Sequence, residues 1–151
     1  MQHAQIWAGP DPERGPRPPL DPDRDLKASP DRNRIMVIED DAIVSLATEN
    51  LLVEAGYAIV ALCARGEDAA ALAARYRPDL ILADVKLAGA LDGIGAIAAI
   101  RAESDVPVIF VTAHSDAATQ ARMEAVDPIE ILAKPVPDFL LLNAVAAALG
   151  D

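Results

Sequence analysis

Residues 34–44 read RIMVIEDDAIV. The apolar run Arg34–Glu39 stops at three consecutive acids, Glu39, Asp40 and Asp41. A helical spacing continues over Asp41–Ala55, with Ile43, Leu46, Ala47, Asn50, Leu51 and Glu54 on it. Gly56 stands where such a helix needs its C-terminal cap. This alternation of apolar run and helix recurs along the chain. Ala58–Cys63, Leu80–Ala83, Val106–Val111 and Ile129–Ala133 are further apolar runs, the last weaker. Helical stretches come after them at Glu67–Tyr76, Gly93–Arg101, Asp116–Val126 and Asp138–Leu149, the last with Leu141, Leu142, Val145 and Leu149 on one stripe. The strands read as continuous apolar runs and do not alternate, which fits a parallel sheet covered by helices on both faces. Each return between parallel strands is expected to be right-handed. The expectation is a doubly wound α/β domain of five parallel strands.

Composition sets the limits around that unit. The chain has 151 residues, 52% hydrophobic and 25% charged, enough for one packed domain and too few for two. Its formal charge of −11 argues against a nucleic-acid backbone or an anionic membrane as a direct partner, and suits a protein that binds cations. Cys63 is the single cysteine, so an internal disulfide is excluded and a reducing, cytoplasmic setting is expected. No apolar run approaches the ~18 residues of a membrane span, and no secretory signal is legible. Residues 1–33 hold seven of the twelve prolines with six acids and five bases, which reads as a disordered tail. The folded domain is expected over 34–151.

In doubly wound sheets, ligands sit outside the carboxyl ends of the strands. Strand one ends in Glu39-Asp40-Asp41, strand three in Asp84, strand four in Thr112-Ala113 and strand five in Lys134-Pro135; strand two ends in Ala64-Arg65 and offers no matching group. Carboxylates brought close together repel and tend to take up protons, and a hard divalent cation removes that problem. Mg²⁺ takes oxygen ligands, keeps several waters and uses few carboxylates. A carboxylate cluster with a lysine and a hydroxyl therefore points to Mg²⁺ and a phosphoryl group held together, with a carboxylate as nucleophile forming an acyl phosphate. Asp84, central among these groups, is the candidate nucleophile. Asp41 reads as a helix N-cap or first-turn acid rather than a ligand, and Asp92 as a loop or cap residue.

The stretches IMVIEDDAIV, DLILADVKLAGALDG, VPVIFVTAH and ILAKP, in this order and at these strand ends, resemble the receiver domain of two-component response regulators over about residues 34–149. The resemblance implies a flavodoxin-like (βα)5 fold with strand order 2-1-3-4-5. It implies that Asp84 accepts the phosphoryl group. Glu39, Asp40, Asp84 and the backbone carbonyl of Lys86 would hold Mg²⁺. Thr112 and Lys134 would bind phosphoryl oxygens, and the Lys134–Pro135 peptide would be cis. A sensor histidine kinase or phosphotransfer protein would supply the phosphoryl group. A downstream protein, not identifiable from sequence, would read the phosphorylated state, and a homodimer through the strand-four/strand-five face is admitted.

Three positions depart from the family pattern. Ala88 replaces the usual proline four residues after the acceptor, and the segment from Asp84 to Gly93 is one residue longer than the common form. Ile131 stands where a switch aromatic is usual, either as core or as a changed switch. Lys86 and His114 lie two residues after Asp84 and Thr112, where they either modulate access of water to the phosphoryl group or are solvated loop residues. With no effector sequence after the fifth helix, the expectation is a stand-alone switch, sink or relay rather than a conventional enzyme. The alternatives are a phosphorylation-independent interaction module on the same fold and a Mg²⁺-dependent phosphohydrolase.

Overall fold

The computed structural model describes residues 33–150. Residues 1–32 of the expected tail lie outside that range. Asn33, assigned to the tail by composition, already belongs to the fold: its carbonyl accepts from the Ala58 N–H at 2.9 Å.

Five parallel strands, β1 (Arg34–Ile38), β2 (Ala58–Cys63), β3 (Leu80–Ala83), β4 (Val108–Thr112) and β5 (Glu130–Ala133), lie in the order β2-β1-β3-β4-β5. Five helices alternate with them: α1 (Ala42–Glu54), α2 (Gly66–Tyr76), α3 (Gly93–Arg101), α4 (Ala117–Ala125) and α5 (Asp138–Leu149). Successive strand residues point to opposite faces, and the core divides accordingly. Met36, Ile38, Ile81, Val108 and Phe110 meet α3 and α4 through Ile94, Ile97 and Met123. Ile35, Val37, Leu80, Leu82 and Ile109 meet α1 and α5 through Leu52, Leu141, Val145 and Leu149. The apolar runs are continuous because both faces are covered.

The sequence placed the strand and helix cores correctly and missed several boundaries. β4 begins at Val108, not Val106. Pro107 lacks an N–H, so it enters the sheet only as an acceptor, its carbonyl taking the Ile81 N–H at 3.0 Å. β5 begins at Glu130; it is the edge strand and none of its residues is fully buried, which is why its run looked weak.

The larger correction concerns α1. The spacing through Ile43 and Leu46 marks the outward side, for these residues are 80% and 55% exposed. Ser45, Glu49 and Leu52 face inward instead. Two adjacent stripes of α1 have the same periodicity. Leu52, fully buried in the second core, selects the one carrying Ser45 and Glu49.

Glu49 consequently sits 2% exposed with Oε2 lacking a hydrogen-bond partner. Burial pushes its carboxyl above the ordinary value. The native state therefore holds this proton to higher pH than the unfolded chain does. The contribution to stability is most favourable below the ordinary carboxyl range and declines as pH rises through it. Glu49→Leu should raise stability at pH 7.5 by about 1–3 kcal/mol, the usual cost of an uncompensated buried polar group. It should raise stability less at pH 5. Urea unfolding at both pH values checks this; unchanged or lower stability at pH 7.5 would refute it.

Candidate functional site

Sheet register brings the site together. Ile38 pairs with Ala83, so Glu39 and Asp84, each one residue past its strand, leave the sheet side by side. Thr112 pairs with Ala133, which sets Lys134 beside Thr112. The lateral backbone bonds continue past the strand ends: Glu39 N–H donates to the Cys63 carbonyl at 2.8 Å, Asp84 N–H to Ile38 at 2.9 Å, and Lys134 N–H to Thr112 at 2.9 Å. The functional residues are thus fixed by the sheet although they lie beyond it.

The Lys134 ammonium lies between two carboxylates, 2.8 Å from Asp84 Oδ2 and 2.9 Å from Glu39 Oε1. The remaining oxygens take backbone donors, Asp84 Oδ1 from the Val85 N–H at 2.6 Å and Glu39 Oε2 from the Asp41 N–H at 3.1 Å. Burial pushes the Glu39 carboxyl up, and the bonds from Lys134 and Asp41 only partly offset it, so the net direction is upward. Burial also disfavours the charged Lys134, but its bonds to Asp84 and Glu39 outweigh that and hold the ammonium above its ordinary value. The Lys134–Pro135 peptide is cis, as the resemblance implied.

Thr112 is fully buried, and its hydroxyl oxygen accepts from the His114 N–H at 3.0 Å. Asp40, Lys86 and His114 are exposed, on the loops leaving β1, β3 and β4. Asp41 is the N-cap of α1, its Oδ1 accepting from the N–H groups of Ile43 and Val44. Asp92 caps α3 by accepting from Gly95 N–H. Both caps were expected from the sequence. Ile131 is partly buried against the first core, which settles its place as packing. Among the described residues, no three His, Cys, Asp or Glu side chains are gathered as they stand into a metal-holding group. Mg²⁺ does not need three: it uses one or two carboxylates and keeps its waters. Glu39 and Asp84 already share one cation, and Asp40 follows Glu39 at the rim; this all-oxygen set fits a hard divalent ion.

Three features escaped the sequence. A cavity of about 30 Å³ lies beneath the site between Val44 and Thr48 of α1, the strands, Lys134 and Leu141. The loop after Asp84, whose length departs from the common form, is tied to α2: the Glu67 carboxylate accepts from Ala90 N–H at 2.9 Å, and Ala88 bridges Arg65. Arg65, at the strand end that offered no candidate, thus supports the loop after Asp84. Finally, Arg122 of α4 grips Asp92. The Asp-Gly pair at 92–93 signals a cap; nothing in spacing announces a partner thirty residues on.

Gly93 lies directly against Asp84: its N–H donates to the Val85 carbonyl at 2.6 Å, and a Cβ there would stand 1.7 Å from the Asp84 carbonyl oxygen. Gly93→Ala should therefore displace the acceptor loop and cost about 1–3 kcal/mol, as overpacking does. Gly95→Ala would meet mainly the end of the Leu91 side chain and gains helix propensity, so it should be near neutral or stabilising. Thermal unfolding of both variants provides the check. Equal losses would contradict the close approach at Gly93.

Comparison with known proteins agrees with this geometry. The sequence profile described as "Response regulator receiver domain" matches residues 35–146. The transcriptional regulatory protein PdtaR of Mycobacterium tuberculosis is 31% identical over 117 residues, covering 78% of this chain and 57% of PdtaR. The chain thus spans little more than half of that relative. Among solved structures, the signal receiver domain of a modulated diguanylate cyclase from Desulfovibrio desulfuricans matches with TM-score 0.74 and 32% identity, covering 80% of this chain and 95% of that one. The receiver domain of the sensor histidine kinase PA1611 from Pseudomonas aeruginosa, described with a magnesium ion coordinated in its active-site cleft, matches with TM-score 0.71 and 31% identity, covering 79% and 98%. Among the described residues, no helix is long and apolar enough to cross a membrane. With its five-stranded 2-1-3-4-5 sheet and the acid pair joined by Lys134 at its carboxyl edge, the chain belongs to the response regulator receiver domain family.

Proposed function

We propose that this chain accepts a phosphoryl group on Asp84 from a phosphohistidine of a sensor histidine kinase or phosphotransfer protein, in a Mg²⁺-dependent step. The acyl phosphate then either changes the binding of a downstream protein or is passed on or hydrolysed. The observation that carries this reading is the Lys134 ammonium held between Asp84 and Glu39. It places a cation beside a carboxylate that is nine-tenths buried yet opens on the strand edge where ligands bind.

The chemistry follows from these groups. An Asp84 carboxylate oxygen attacks phosphorus in line with the P–N bond. The P–O bond forms, the P–N bond breaks, and the imidazole nitrogen keeps the electron pair. Lys134, within reach of Asp84, neutralises charge on the transferring oxygens. Asp40, Asp84, the Lys86 carbonyl and Glu39 would hold Mg²⁺, which would supply further positive charge to the transferring group. The Thr112 hydroxyl, now accepting a backbone N–H, has its own proton to donate to a phosphoryl oxygen. In hydrolytic discharge, water attacks phosphorus, the acyl P–O bond breaks, inorganic phosphate leaves with the protons of the attacking water, and the Asp84 carboxylate returns. Lys86 and His114 flank that approach as exposed modulators.

A macromolecular donor fits the rim of the site. Ile43 and Leu46 on the first turns of α1, and Phe139 and Leu140 on the first turn of α5, are exposed apolar residues. Both helices pack on the same face of the sheet and start at its carboxyl edge. Burying such a patch beside the acceptor would favour a helical protein carrying the phosphohistidine over a free small molecule. The second reading, a phosphorylation-independent interaction module, is favoured by Ile131, whose packed aliphatic side chain replaces the usual mobile aromatic.

Intact-protein mass after incubation with Mg²⁺ and acetyl phosphate separates the readings. One phosphoryl mass should appear in the native chain, and be absent from Asp84→Ala and in the presence of EDTA. Lys134→Ala should cut the rate of adduct formation by at least tenfold. Absence of both adduct and released phosphate at saturating Mg²⁺ would remove the acceptor reading and leave the interaction module.

A further inference from the structure

We propose that the ion pair between Asp92 and Arg122 is the positioning link through which a change at Asp84 reaches α4. The contact is two-pronged: Arg122 Nη1 lies 2.9 Å from Asp92 Oδ2 and Nη2 lies 3.2 Å from Oδ1. A fork of this kind fixes orientation as well as distance. Asp92 is in turn fixed to the acceptor. It caps α3 through Gly95 N–H at 2.8 Å, and the next residue, Gly93, rests on the Asp84 backbone and bonds to Val85. A displacement of the acceptor loop therefore carries Asp92 with it, and Arg122 follows.

Helix α4 is built to follow. It buries only Met123, whereas α3 buries Gly93, Ile94, Ala96, Ile97 and Ile100. An element with so little core contact moves at low cost. Arg101, at the far end of α3, holds the residues just after α4: its Nε donates to the Val126 carbonyl and its Nη2 to the Asp127 carbonyl, both at 3.0 Å. The two arginines thus tie both ends of α3 to the C-terminal part of α4, and only the Arg122 contact reaches the acceptor loop. With Ile131 packed into the core, no aromatic in β5 supplies an alternative link to the site. The exposed pair contributes little to stability in its own right. Its effect is on where α4 sits.

The proposal rests on the acceptor reading of Asp84 only for its stimulus, and the test separates the two. Amide hydrogen exchange of residues 117–125 is compared with and without Mg²⁺ and acetyl phosphate in the full chain and in Arg122→Gln, Arg122→Lys and Asp92→Asn, at matched Asp84 occupancy by mass. Asp92→Asn keeps a cap while removing the charge. The native chain should show at least a threefold change in α4 exchange on loading. Arg122→Gln and Asp92→Asn should show less than 1.5-fold, and Arg122→Lys should keep about half the native response. A native-sized change in Arg122→Gln overturns the link, even if its α4 exchanges faster in both states. If the native chain takes up no phosphoryl group, the acceptor reading fails. Asp84→Asn then serves as the stimulus. The link stands if that substitution alters α4 exchange when Arg122 is present and not when it is combined with Arg122→Gln. An equal response in both backgrounds, or none in either, overturns it.

Discussion

Two acids that the sheet forces together share one ammonium. Glu39 and Asp84 are brought side by side by the register of β1 and β3, and both are almost fully withdrawn from solvent. Left alone, they would repel and take up protons. Lys134 resolves this by bonding to both, at 2.9 and 2.8 Å. Without the lysine, the two acids would keep their charge only at a cost in stability, or lose it by taking up a proton. The same lysine must therefore arrive from β5, at the opposite side of the sheet from β2, with its side chain aimed back across β4. The order β2-β1-β3-β4-β5 puts the end of β5 two strands from the end of β3, a gap that the Lys134 side chain spans. Two carboxylates face one ammonium, a surplus of negative charge that fits a hard cation.

The supporting loops serve the same geometry. Asp84 is held from behind by its Val85 N–H and from the side by the Ile38 carbonyl, so its carboxylate has little freedom. The loop beyond it is anchored to α2 by Glu67, to Arg65 by a backbone bridge and to α4 by Arg122. Exposed pairs of this sort add little energy. What they supply is orientation, which an in-line displacement needs more than it needs additional stability.

Legibility in the sequence followed the physics of each element. Strands buried on both faces announce themselves as unbroken apolar runs, so β1, β2 and β3 were placed to within a residue. Residues at carboxyl strand ends were legible because parallel topology makes one edge the site, and Glu39, Asp84, Thr112 and Lys134 were each identified there. Caps at Asp41 and Asp92 were legible because an acid ahead of a helix has one obvious use. The rotation of α1 was not, since two adjacent stripes share a period and only tertiary contact of Leu52 chooses between them. The start of β4 was lost to Pro107, which is apolar but lacks the donor a ladder needs. Arg122, Arg65 and Glu67 were missed for a common reason. Their roles depend on neighbours that only the folded chain supplies.

That pattern of hits and misses bears on how the domain would signal. The groups legible from sequence are those gathered at the strand edge, where the proposed acyl phosphate would form. The groups it concealed tie the loops and helices around that edge to one another. A receiver whose β5 carries Ile131 instead of an aromatic cannot report through a rotating ring, since an aliphatic side chain packed into the core presents no face that differs between two states. Any report must therefore pass through elements that are both attached to Asp84 and lightly held by the core. Helix α3 satisfies the first condition and, with five buried residues, fails the second. Helix α1 begins beside the site, but the inward side chains Ser45, Glu49 and Leu52 hold it against the sheet. Helix α2 is tied to the same loop by Glu67 and buries only Gly66 and Ala69, and helix α4 buries Met123 alone and meets the loop through the fork from Arg122, so these two satisfy both conditions. The strands β1, β3 and β5 thus fix Glu39, Asp84 and Lys134 at one edge of the sheet, while α2 and α4 are the helices held least by the core.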